Sequence, residues 1–196
     1  MAGHGFADVD QHDFESQRAR ALLSDESQVC PELFATDAPM AAYLAADEAE
    51  GPFHAQMARL LDGLGVGEAS VYGLSLTTAT HFDAVESVSL LTRCIIKFLK
   101  SRHPKSVFIV GGLNAACLVA KFVPEFLRSR FLETRSADYA VAGTGYEPLL
   151  GILREIAGHA RLETAPLHVV RHAHGTLVSD HGEGWDTSSI LHRRDA

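Results

Sequence analysis

Three short apolar runs, each followed by a long amphipathic stretch, constrain the fold of this chain more than any other feature. The runs cover residues 70–77 (SVYGLSLT), 107–110 (VFIV) and 137–142 (ADYAVA). Each is nearly unbroken in apolar residues, which is typical of strands that are buried on both faces. Because a helix separates successive strands, the strands must pair in parallel through crossover connections. The sequence therefore predicts an α/β fold with an open, mainly parallel, doubly wound sheet and helices on both of its faces.

The stretches between and after the runs predict three helices. Residues 82–101 carry one broad apolar stripe, formed by Val85, Val88, Leu91, Ile95, Phe98 and Leu99. Residues 115–131 predict a second helix, which Pro124 should start, kink or split because proline lacks a backbone N–H. Residues 147–157 predict the third.

The chain divides into three segments by pattern. Residues 1–69 form a polar N-terminal segment with a helical extension, in which the spacing of Met57, Leu60 and Leu61 predicts an amphipathic helix. Residues 70–158 form the sheet-containing core. Residues 159–196 predict a β-hairpin and a loose tail, with hairpin strands at 167–173 and 176–179 joined by His174-Gly175.

Composition restricts the partners and the location of the chain. The formal net charge is −8, whereas nucleic acids and anionic membranes select clustered Lys and Arg. No apolar run approaches the roughly 20 residues that a membrane-spanning helix needs, and the first residues lack the features of a signal peptide. Cys30, Cys94 and Cys117 are too scattered for a disulfide framework. We therefore expect a cytoplasmic protein that binds neither nucleic acid nor membrane.

Candidate ligand-binding residues follow the three predicted strands. Ligands on open parallel sheets bind beyond the carboxyl ends of the strands, and each loop there begins with a small residue that lets a ligand approach the backbone. The candidates are Ser75, Thr77, Gly111, Gly112, Gly143, Gly145 and Glu147. Each has a second interpretation: tight turns need the glycines, Ser75 and Thr77 could cap a helix, and the helix dipole favours Glu147.

These loops carry a family likeness. The segment YGLSLTTATHFDAVESVSLLTRCIIKFLKSRHPKSVFIVGGLNA, followed by DYAVAGTGYEPLLGIL, resembles the Rossmann-like cobalamin-binding domain that precedes many radical SAM enzymes. Ser75 and Thr77 occupy the family's Ser-x-Thr step, Gly111 and Gly112 its Gly-Gly step, and Asp138 through Glu147 the step that opens its last helix. The resemblance covers residues 70–180, and the predicted hairpin is similar to the connector that follows the domain.

The resemblance implies an accessory role with a possible corrinoid ligand, cobalamin or a relative, which this chain has either kept or lost. Asp10-Gln11-His12 starts like the family's Asp-x-His-x-x-Gly loop but lacks its glycine, and no apolar strand precedes residue 70. No Cys-x3-Cys-x2-Cys motif is present, so the chain itself cannot perform radical SAM chemistry. The resemblance thus implies a non-catalytic subunit that acts with a separate radical SAM or other tailoring enzyme in peptide or natural-product maturation, or that associates with itself.

Other interpretations of the sequence remain open. A small independent enzyme or nucleotide-binding protein could use the same loops, although a Gly-x-Gly-x-x-Gly motif would need glycine where Leu113 and Ala116 stand. His172 and His174 alternate in the predicted hairpin and are weak candidates for metal ligands. Solvated histidines are the favoured interpretation of that pair, so we predict no metal site.

Overall fold

The computed structural model describes residues 32–76, 82–112, 122–142, 146–159, 161–162 and 167–179. Within it the chain forms two compact units, residues 1–68 and residues 69–196. No helix in the ranges just given has the length and apolar character that crossing a membrane requires. The Asp10-Gln11-His12 step and the predicted loose tail lie outside the described residues.

The first unit is helical in its described part. It contains α1 (Glu32–Ala35), α2 (Asp37–Ala45) and α3 (Gly51–Gly63). The predicted amphipathic helix is confirmed as α3, whose buried residues Met57, Leu60 and Leu61 recur at helical spacing. The helix ends at Gly63, and Gly65 follows with a φ of +72°, which glycine adopts without steric cost. The ring centres of Phe34 and Tyr43 each lie 5.1 Å from the ring centre of Phe53.

The second unit is built on one sheet that contains five strands in the described residues. These are β1 (Val71–Ser75), β2 (Val107–Gly111), β3 (Tyr139–Ala142), β4 (His168–His172) and β5 (Gly175–Ser179). Their order across the sheet is β1-β2-β3-β5-β4, and only the β4–β5 pair is antiparallel. The predicted parallel pairing of the first three strands is confirmed. Phe108 and Val110 of β2 have no accessible surface, as its position between two strands requires.

Helices cover both faces of this sheet, as predicted. Helix α4 (Phe82–Arg102) lies on one face, where the Lys100 ammonium sits 5.4 Å from the centre of the Phe108 ring. Helix α5 (Phe122–Leu127) and the π-helical turn Arg128–Leu132 that continues it lie on the same face, where the Arg130 guanidinium is 2.6 Å from the Glu86 carboxylate of α4. Helix α6 (Tyr146–Ile156) covers the opposite face, where Ile152 packs in a cluster with Ile109, Val141, Leu162 and Val178. We refer to these two faces of the sheet as the α4–α5 face and the α6 face.

One element boundary differs from the prediction. Pro124 lies within α5 as described, and the prediction that it starts, kinks or splits a helix over residues 115–131 stays a prediction, because residues 113–121 lie outside the described part. The predicted hairpin turn is wrong by one residue, because Ala173 and His174 form the turn and Gly175 begins β5. Gly175 pairs with His172, and the peptide that follows it bonds to the sheet: the Thr176 N–H donates to the Asp138 carbonyl at 2.9 Å.

Candidate functional site

Three of the predicted site residues meet at the carboxyl ends of β1 and β2. Ser75 and Gly111 are register partners in the two parallel strands, and the Leu76 N–H donates to the Gly111 carbonyl at 2.7 Å. Gly112 follows with a φ of +81°, a conformation that favours glycine. Ser75 and Gly112 are both exposed. Neighbouring parallel strands thus bring together residues that are 36 and 37 positions apart in the sequence.

Both of these glycines have a packing reason within the chain. A Cβ atom on Gly111 would lie 3.1 Å from the Cβ and carbonyl oxygen of Val141 on β3, and a Cβ on Gly112 would overlap the Ser75 hydroxyl. The turn and the close approach of β3 therefore require glycine whether or not a ligand binds. The glycines are compatible with a ligand site, but their presence by itself is explained by the fold.

Gly73 extends this surface and was missed by sequence reasoning. It alternates with the buried Tyr72 and so shares the α6 face with Ser75. Gly73 is exposed, and apart from its chain neighbours no described residue has an atom within 4 Å of the position where its Cβ would stand. A glycine inside a buried-type strand is a signal of close backbone approach. We call the surface formed by Gly73, Ser75, Gly111 and Gly112 the glycine-rich edge.

The placement of the helices creates a change of face beside this edge. The described helix that follows β2 lies on the α4–α5 face, whereas the described helix that follows β3 lies on the α6 face. The helices that follow two adjacent parallel strands thus lie on opposite faces of the sheet. In open α/β sheets such a point leaves a crevice beyond the strands, and ligands bind there.

The other candidate residues lie apart from this convergence or outside the described part. Thr77, Gly143 and Gly145 are not among the described residues. Glu147 is exposed in the first turn of α6, where the helix dipole accounts for a carboxylate. The neighbouring Tyr146 is 73% exposed, which is unusual for an aromatic residue that follows a strand by only four positions.

The described cysteine is buried and unreactive in character. Cys94 lies on α4 with no accessible surface, and burial raises the pKa of its thiol to about 12. The thiolate is the nucleophilic form of cysteine, so this residue packs as a small hydrophobe. Cys30 and Cys117 lie outside the described residues.

The two histidines considered as metal ligands do not share a strand. His172 ends β4 on the α4–α5 face, whereas His174 lies in the hairpin turn with its Nε2 atom 3.4 Å from the Arg135 guanidinium. A cation next to His174 opposes the binding of a metal ion. No group of three or more His, Cys, Asp or Glu in the described ranges could hold a metal.

Asp138 has a structural role at the amino ends of the strands that sequence reasoning missed. Its side-chain Oδ2 accepts a hydrogen bond from the Phe108 N–H at 2.8 Å, and its own N–H donates to the Phe108 carbonyl at 2.9 Å. Its carbonyl accepts the bond from Thr176 on β5. One residue therefore ties β2, β3 and β5 together, at the edge opposite to the candidate site.

A second polar network lies on the α6 face near the same end of the sheet. The Glu155 carboxylate accepts hydrogen bonds from the Tyr139 hydroxyl at 3.0 Å, the Leu162 N–H at 2.8 Å and the Arg171 guanidinium at 2.7 Å. The bond from Arg171, with those from Leu162 and Tyr139, lowers the pKa of Glu155 to about 2. Burial and the bond to Glu155 raise the pKa of Tyr139 to about 12. Every oxygen of this carboxylate is occupied, so the network is structural.

The fold and the site define a class but no family. The second unit is an α/β domain with an open, mainly parallel sheet and a candidate ligand-binding surface at the carboxyl ends of its strands. In comparisons with known proteins, the chain matches no protein-family model, no curated protein and no solved structure.

Proposed function

We propose that this chain is a non-catalytic accessory subunit whose glycine-rich edge binds the tail of a corrinoid and which serves a separate tailoring enzyme. The observation that carries the proposal is the exposed backbone at Gly73 and Gly112, with the Ser75 hydroxyl between them. A surface without side chains lets a flat or extended group lie against the strands, and the hydroxyl can donate to it or accept from it.

The described residues fit the tail of such a ligand rather than its metal. Ser75, Gly111 and Gly112 would hold the tail, while none of the described histidines lies at the carboxyl end of β1, β2 or β3. A bound corrinoid supplies alkyl-transfer or radical chemistry through its cobalt. The residues of this edge would bind and orient the molecule without coordinating the cobalt.

The accessory role is supported by the chemistry of the described side chains. The thiol of Cys94 is buried, and Glu155, a carboxylate whose pKa is lowered, is fully hydrogen-bonded to its own fold. Tyr146 offers an exposed ring at the start of α6, and Leu149 one turn later is 40% exposed. These two apolar side chains would suit contact with a partner enzyme or with the ligand.

Titration with hydroxocobalamin, followed by the visible spectrum and by calorimetry, tests ligand binding. We expect micromolar affinity, about −8 kcal/mol, because none of the described histidines lies where it could ligate the metal. Gly73→Val should abolish binding while it leaves the fold intact, because no described residue apart from its chain neighbours comes within 4 Å of the new Cβ, and β-branched residues suit strands. Gly111→Val is a poorer probe, since it would collide with Val141.

Gly67→Val is the matched control, because Gly67 is equally exposed, has equal free space and belongs to the other unit. Equal affinities of wild type and Gly73→Val would remove the glycine-rich edge from the site. Binding of a nucleotide with no response to cobalamin would favour the independent nucleotide-binding alternative. Co-expression with enzymes encoded beside it tests the accessory role, and a chain that remains alone in every combination would contradict it.

A further inference from the structure

Among the described residues β4 is the last strand of the sheet, and its backbone hydrogen-bonding groups alternate between β5 and the outer side in a defined pattern. The Thr176 N–H donates to Asp138 on β3 and thus points away from β4. Its register partner Arg171 is therefore in a non-hydrogen-bonded pair, and the N–H and C=O of Arg171 point outward from the sheet. By alternation the same holds for Val169, while Val170 directs its backbone groups to Leu177 on β5.

The composition of β4 protects this edge only through Arg171, whose charge is paired with Glu155. Natural edge strands are blunted by charged side chains, especially lysine, and by proline, bulges or a covering element. The strand His168–His172 has neither lysine nor proline, it pairs with β5 in an unbroken register, and Val169 and Val170 are β-branched residues with high strand propensity. The opposite edge strand, β1, is weakened as a pairing surface by Gly73 in its centre.

We infer that β4 pairs in antiparallel fashion with β4 of a second copy of this chain. The two-fold axis that relates the copies passes between their two Val170 residues. In this register Val169 of each copy faces Arg171 of the other as a hydrogen-bonded pair, which gives four backbone hydrogen bonds across the axis. The two sheets then continue as one. The inference is independent of the proposed ligand, because β4 and the glycine-rich edge lie at opposite sides of the sheet.

The strand is self-complementary in this register. Val170 meets its own copy at the centre, His168 faces His172, and Arg171 faces Val169, so the two guanidinium groups are not directly opposed. Each Arg171 is already paired with Glu155 of its own chain, which compensates its charge. No acidic residue lies on the strand, so the overall charge of −8 is not concentrated at the contact.

Sedimentation of the wild-type chain over a range of concentrations tests the inference. We expect a monomer–dimer equilibrium in the micromolar range, since one strand pair buries less surface than a permanent dimer. Val170→Lys and Val170→Glu should each be monomeric, because two like charges would meet on the axis. Mixing the two variants should restore a dimer that contains one copy of each. Val170→Thr, which keeps the branched shape, is the matched control and should dimerise.

Amide hydrogen exchange tests the same contact without a substitution and is decisive if the charged variants do not fold. The amides of Val169 and Arg171 should become protected as the concentration rises. A wild-type chain that stays monomeric, a dimer that persists in both charged variants, or folded variants that do not recombine would each overturn the inference. A dimer in which these two amides exchange freely would also overturn it, as would pairing of β4 only with a different protein.

Discussion

The amino ends and the carboxyl ends of the parallel strands, called here the amino edge and the carboxyl edge of the sheet, are built in different ways. At the amino ends of the strands, Asp138 bonds to β2 and β5, and the Ser106 hydroxyl donates to the Ala69 carbonyl at 2.6 Å. At the carboxyl ends, the described residues of β1 and β2 meet through small residues, and Gly73, Ser75 and Gly112 are exposed. At the first edge Asp138 and Ser106 are hydrogen-bonded within the chain, although the buried Nε2 atom of His172 has no hydrogen-bond partner among the described residues. The second edge instead exposes backbone and a hydroxyl at the surface of the described residues.

This difference separates stability from binding. A polar group that bonds within the fold contributes to stability and is unavailable to a ligand, while an exposed one contributes little to stability and can bind. Substitutions of the bonded groups at the amino edge should therefore lower the free energy of unfolding, and substitutions at the exposed Gly73 and Ser75 of the carboxyl edge should leave it nearly unchanged.

The largest effect is expected for Gly175→Val at the amino edge. A Cβ on Gly175 would lie 2.8 Å from the Asp138 carbonyl oxygen and 2.8 Å from a methyl group of Leu132. Because the carbonyl belongs to the sheet and cannot move freely, we expect a loss of about 3 kcal/mol, the upper end for overpacking. Urea denaturation measures it. The control is Gly73→Val at the other edge, and equal losses in the two variants would contradict the comparison.

Asp138→Ala should cost about 2 kcal/mol, because it leaves the N–H of the buried Phe108 without an acceptor. Asp138→Asn keeps a side-chain carbonyl oxygen at the same place and should recover most of the loss. The thermal unfolding midpoints of the two variants test this expectation. If Asn and Ala destabilise the chain equally, the hydrogen bond to β2 is not the cause.

Glu155→Gln should cost about 1 kcal/mol near pH 7, because the ion pair with the exposed Arg171 is partly screened by water. The folded-state pKa of Glu155 is about 2, below its ordinary value of 4.5, so the contribution is present above pH 4.5 and is lost as the pH falls toward 2. Unfolding measured between these values should show a shallower pH dependence in the variant. An identical dependence in both proteins would assign the acid sensitivity to other carboxylates.

The smallest effect is expected for Ser75→Ala, within about 0.5 kcal/mol of wild type, because its side chain is exposed at the carboxyl edge. Calorimetric unfolding of the free protein measures it. A loss as large as that of Asp138→Ala would show that this hydroxyl supports the fold, and the two edges would then not differ as described.

The repeated alternation of apolar runs and amphipathic stretches was sufficient to predict the α/β architecture. Strands buried on both faces need continuous apolar residues, and a helix between two strands imposes parallel pairing, so both properties are encoded locally. The meeting of Ser75 with Gly111 and Gly112 was also predictable, since the carboxyl ends of parallel strands share one edge. The hairpin was predicted, but its turn was misplaced by one residue because neighbouring Ala, His and Gly all tolerate a turn.

Only the tertiary structure decided which residues of these motifs serve the fold. Asp138 begins one of the segments on which the family resemblance rests, yet its carboxylate accepts a hydrogen bond from the N–H of Phe108, a residue 30 positions earlier. Glycine is needed at position 175 because Leu132 and Asp138 lie too close for a Cβ atom. At Gly73, by contrast, no described residue apart from its chain neighbours comes within 4 Å of the Cβ position. Such contacts depend on how distant segments pack. The local pattern of the sequence determines the elements and their pairing, whereas long-range packing determines which polar groups are already satisfied and which remain available to bind.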